Sequence, residues 1–141
     1  MLRPFLLIGV GGSGGKTLRI VRHELQRRLV EHGWEGSFPA GWRFLHIDVP
    51  SVADGDDPDL PPQLPRAEYA GLVTTGVNYR NIDSALAGVG RTEVGDWIAG
   101  WRPDATQVMV PVEKGAGQFR VLGRMLTLAN LRPAKAESML R

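Results

Sequence analysis

The chain has 141 residues, 43% hydrophobic and 23% charged, with no cysteine and a net charge of +2. This is ordinary globular usage for one domain spanning 1–141; it excludes a disulfide framework and a Cys-based metal site, and the small basic excess does not indicate nucleic acid. The apolar run at the N-terminus is about seven residues, too short for a membrane span or a secretory signal, so a cytoplasmic location without membrane or nucleic-acid partners is expected.

Phe5-Leu6-Leu7-Ile8-Gly9-Val10 reads as a buried strand, and Gly11-Gly12-Ser13-Gly14-Gly15-Lys16-Thr17 follows it at once. Glycines leave backbone N–H groups open to a ligand, and the positive end of the helix beyond favours an anion. The pattern is that of a phosphate turn. A P-loop needs glycine five residues before the glycine of Gly15-Lys16-Thr17, and that position is Val10, so the spacing excludes one. Gly9, Gly11 and Gly14 do satisfy the dinucleotide fingerprint. Its acidic residue is due about 20 residues further on, whereas the next candidate strand ends later, at Asp48.

The first helix is predicted from Gly14 to His32, stopping at Gly33. Leu18, Val21, Leu25 and Leu29 give it an apolar stripe; Arg19, Arg22, Arg27 and Arg28, with His23, give it a basic face that reads as solvated. Trp34 to Gly41 reads as a loop, and Trp42 to Asp48 as a second strand, parallel to the first across a right-handed crossover. Asp48 then falls at the carboxyl end of its strand, where open α/β sheets bind ligands.

A Pro- and Asp-rich segment occupies about 49–76, with Asp54, Asp56, Asp57 and Asp59 among five prolines and glycines. Without the spacing of a calcium loop it reads as a solvated irregular stretch. Asn78–Ala87 and Thr92–Trp101 have the length of short helices, anchored by Ile82, Leu86, Trp97, Ile98 and Trp101. Pro111 makes Val108–Val112 an edge strand or an extended connector. A second small-residue turn, Glu113-Lys114-Gly115-Ala116-Gly117, opens a helix from Gln118 to Asn130 whose apolar side holds Phe119, Leu122, Met125, Leu126 and Ala129. His23, His32 and His46 lack metal-ligand spacing and no nucleophile–base set is present, so no catalytic or metal residue is assigned and His46 reads as structural.

Three features occur in order: a glycine-rich first turn, a second strand ending in Asp, and Gly-Ala-Gly before a helix bearing Gly123-Arg124. Together they resemble the first three nucleotide loops of the tubulin and FtsZ superfamily, and more closely those of bacterial tubulin-like proteins. The resemblance implies a partial Rossmann-like parallel α/β sheet with flanking helices, the N-terminal part of a GTP- or GDP-binding domain. On it, the nucleotide residues are Gly9, Gly11, Gly12, Ser13, Gly14, Gly15 and Lys16; Asp48, near the nucleotide or its Mg2+; and Gly115, Ala116, Gly117 and Gln118 around the terminal phosphate. Lys16 stands where FtsZ usually has asparagine.

The family's later glycine loop and its hydrolytic acidic loop have no match in these residues, so GTPase activity is expected only on completion by further elements. The isolated chain is expected to be inactive and to self-associate, or to take a partner that completes the domain, through the helix around Phe119, Leu122 and Leu126 and the tail Ala134–Arg141. A Rossmann-type NAD(P) module and a nucleotide-free scaffold are the alternatives.

Overall fold

The computed structural model describes residues 2–53, 55–87, 93–109, 111–117 and 119–130. These form two compact units, one made of the described residues up to Asp48 with Val52–Ala70, the other of Val49–Ser51 with the described residues from Gly71 onward.

In the first unit, β1 (Phe5–Val10) passes directly into α1 (Gly11–Glu31), which returns the chain to β2 (Trp42–Asp48). β1 and β2 are parallel, with Phe5 opposite Trp42 and Gly9 opposite His46. This βαβ arrangement confirms the α/β expectation. β3 (Tyr69–Gly71), preceded by a short 3-10 turn at Arg66–Glu68, adds a third strand beside β2, so the sheet order is β1-β2-β3. The Pro-rich segment is therefore not wholly irregular.

Helix α1 begins three residues earlier than predicted, so the glycines after Gly9 form its first turns rather than a loop before it. It lies across β1 and β2, with Leu18 and Leu29 buried and Val21 and Leu25 half-buried. Its face toward the sheet meets Gly9, Phe44 and His46. An aromatic group formed by Phe5, Phe38, Trp42 and Phe44 closes the far end, with ring centroids 5.0–5.8 Å apart.

Two expectations about this unit are corrected. β1 is not buried: it is an edge strand, and Leu6, Ile8 and Val10, which alternation places on the face away from α1, are 46%, 51% and 72% exposed. A continuous apolar run suits a strand covered on both faces, and α1 covers only one. Nor is the basic face wholly solvated. Arg19 is buried, and Arg22 lies 4.7 Å over the Phe38 ring with its Nε 3.1 Å from Glu68. Burial pushes the Glu68 carboxyl above its ordinary pKa despite that guanidinium. Arg27 and Arg28 do face solvent, and both hold the Glu24 carboxyl down to about 2.

The second unit contains α2 (Tyr79–Ala87), α3 (Glu93–Ala99) and α4 (Arg120–Asn130), close to the predicted helices. Its core joins Val49, Val73, Tyr79, Ile82, Ile98, Val112, Leu122, Met125 and Leu126. Leu122, Met125 and Leu126 are at most 1% exposed, so α4 is a core helix and not the open surface expected of it. Phe119, just before it, is 61% exposed. Val112 enters a 3-10 turn at Val112–Lys114, and the residues described before it form no strand, which leaves the segment a connector. The tail from Ala134 lies outside the described residues. Among those described, no helix is long and apolar enough to cross a membrane.

A methyl group on Gly9 would lie 2.5 Å from the Gly14 carbonyl oxygen and 2.8 Å from Leu18 Cδ1. Gly9→Ala should therefore force α1 off β1 and cost about 2 kcal/mol or more in denaturant unfolding; an unchanged midpoint would contradict the packing. In the second unit, Tyr79 is buried and its hydroxyl donates to the Pro103 carbonyl. Burial, helped by the Asp83 charge, raises its phenol pKa from 10.0 to about 12. Because the folded value is the higher, the associated stability is present below pH 10 and is lost as pH rises toward 12. Unfolding followed by tryptophan fluorescence should show that alkaline decline in the wild type and a smaller one in Tyr79→Phe.

Candidate functional site

The first glycine turn is built by contacts on its inner side. Gly9 and Gly14 let β1 and α1 approach until their backbones touch, and Gly15 leaves room for the His46 imidazole, into which a methyl group would project. Gly11 takes φ +70°, a conformation open to glycine. Three of the five glycines are thus explained by packing and one by backbone conformation. Gly12 is left, and with Gly15 it lines the adjoining cavity.

On the outer side, α1 has Val10 at its cap position with no side-chain cap and no acidic residue in its first turn. Its end carries the positive pole of the helix with nothing of opposite charge built into it. Thr17 turns inward, donating to the Ser13 carbonyl. Lys16 is more than half exposed, and its ammonium lies 3.8 Å from Asp57.

Residues 55–64 lie against this end of α1. Arg19 Nε donates to the Pro61 carbonyl at 2.7 Å, and its second nitrogen reaches the same oxygen. Between segment and helix is a cavity of about 330 Å³, lined by Gly12, Gly15, Lys16 and His46 on one side and Asp57 and Tyr69 among others on the other.

His46 Nε2 lies 3.1 Å from the Gly11 carbonyl and 3.6 Å from Asp48 Oδ2, and its ring stands edge-on to Tyr69 at 5.1 Å. Gly9 to Lys16 and Asp48 are therefore gathered in one unit, with His46 between turn and carboxylate. Sequence reading missed His46, Arg19 and Tyr69 as part of this site. The available signal for His46 was its place two residues before Asp48, which puts both on the same face of a strand beside the turn.

The second turn belongs to the other unit. Gly115 and Gly117 take φ +120° and +57°, conformations that side chains resist. The fully buried Val112 anchors the turn, and Glu113 accepts a hydrogen bond from the Gly76 amide. Ala116 lies beside Gly123, where an added methyl group would meet it in ordinary contact at 3.6 Å. Arg124 stacks over Trp101 at 4.2 Å and faces Trp97 at 5.5 Å. Gln118 lies outside the described residues. Among those described, no group of three or more His, Asp or Glu could hold a metal ion.

A family model described as "Tubulin like" matches residues 6–139. Comparison with curated proteins and with solved structures gives no match.

Proposed function

The chain belongs to the tubulin-like family, and from that premise we propose that it binds GTP or GDP, with the phosphates at the N-terminus of α1. The observation that carries the reading is this helix end, glycine-built, uncapped and without a first-turn acid. Its amides and dipole are arranged for an anion. Gly12 and Ser13 would meet the phosphates through their backbone, and Lys16 would add a mobile positive charge. Asp48, at the carboxyl end of β2, would face the nucleotide or a magnesium ion carried in with it. Gly115, Ala116, Gly117 and Gln118 are assigned to the terminal phosphate by the family resemblance alone. The cytoplasm, where guanine nucleotides are abundant, is the proposed location.

One observation favours a second reading. The contact of Gly9 with Gly14 is the close helix–strand packing expected from the last glycine of a dinucleotide fingerprint. Titration decides between the two. GTP should bind in preference to ATP and NAD, and Gly12→Val should weaken it by roughly tenfold or more, since about 1.4 kcal/mol is a decade in affinity. Preference for NAD would transfer the proposal to an NAD(P) module, and no binding of any nucleotide would leave a scaffold.

We further propose self-association through β1, which has a neighbour on one side only and carries exposed Leu6, Ile8 and Val10. Such an edge is a template for strand pairing. Sedimentation should show concentration-dependent association that Ile8→Lys abolishes; a monomer over the whole micromolar range would refute it.

A further inference from the structure

The buried histidine beneath the first glycine turn has a chemical task that packing alone does not explain. His46 is 8% exposed, held between the β2 backbone, the Tyr69 ring and α1. It fits because Gly15 has no side chain, since any Cβ there would fall within the imidazole. Its Nε2 meets the carbonyl of Gly11, at 3.1 Å. A carbonyl can only accept, so this nitrogen carries the proton and the ring is the donor. Asp48 Oδ2, at 3.6 Å, is too distant for a hydrogen bond to it.

Gly11 is the residue at which the chain changes from strand to helix, and it does so at φ +70°. Glycine there has no side chain to select one backbone conformation over another, so its carbonyl is oriented by the first turn of α1 together with the His46 N–H. We propose that His46 is the positioning residue of the phosphate turn: its hydrogen bond holds the Gly11 carbonyl on the inner side of the turn, so that the amides following it stay aimed at the anion. Loss of the donor lets the Gly11 peptide rotate and brings a carbonyl dipole toward the phosphates. The effect on binding rests on the nucleotide reading above, whereas the effect on the turn does not.

The test compares His46→Leu, which keeps bulk and removes the donor, with His46→Gln, whose amide nitrogen reaches about as far as Nε2. Hydrogen exchange at the amides of residues 11–15, measured without nucleotide, reads the turn directly. GTP titration reads its consequence. Expected for His46→Leu are faster exchange confined to these amides and about tenfold weaker GTP binding; His46→Gln should restore both to within about threefold of wild type. Wild-type exchange in His46→Leu would overturn the inference, as would a folded His46→Gln as impaired as the leucine variant. Should His46→Leu not fold, His46→Gln decides alone: protected amides support the role and rapid exchange refutes it. The exchange pattern in a chain that binds no GTP would support the turn-holding role and refute the nucleotide reading.

Discussion

The first unit depends on how closely a helix can approach a strand when no side chain intervenes. Gly9 and Gly14 bring the backbones of β1 and α1 into contact, and this lets the helix begin directly after the strand. A longer connection would place flexible chain between sheet and helix end, and the first-turn amides would lose their fixed direction. The same closeness makes room for His46 under Gly15 and puts Leu18 against the sheet. Glycine thus serves the ligand side of this turn indirectly, by what it permits on the protein side.

Charge is arranged with comparable economy. The helix end carries no acid of its own, and the opposing carboxylate comes from a distant part of the chain, Asp57, on an exposed pair with Lys16. An exposed pair contributes little to stability, typically under about 1 kcal/mol, so the lysine is only weakly held. Arg19 is different. It is buried and held by the Pro61 carbonyl, so it anchors the chain around Pro61 and is spent on structure rather than on a ligand.

In the second unit the helix before the chain's last described residues is the most deeply packed element. Leu122, Met125 and Leu126 close the core with Tyr79 and Val112, and the adjoining turn inherits its rigidity from Val112. Arg124 covers tryptophan faces instead of reaching for an anion, which explains an arginine beside an aromatic pair without a ligand. Exposed apolar side chains occur in a run along β1, because an edge strand is open wherever no further strand or layer covers it.

The sequence by itself determined the βαβ order, the parallel pairing, the helix stripe through Leu18 and Leu29, and the family, because these rest on short-range patterns: apolar periodicity, glycine spacing and the position of Asp48. Helix α2 and α4 were legible for the same reason. It did not show which apolar residues are left open to solvent. Leu6, Ile8 and Val10 read as core and are exposed, while Arg19 reads as solvated and is buried, since exposure is set by elements remote in the chain. Nor could it separate the five glycines of the first turn by role. Only the tertiary structure placed His46 under Gly15 and the Gly11 carbonyl within reach of Nε2, because a contact across 35 residues of sequence depends on strand register and helix position, neither of which local composition encodes.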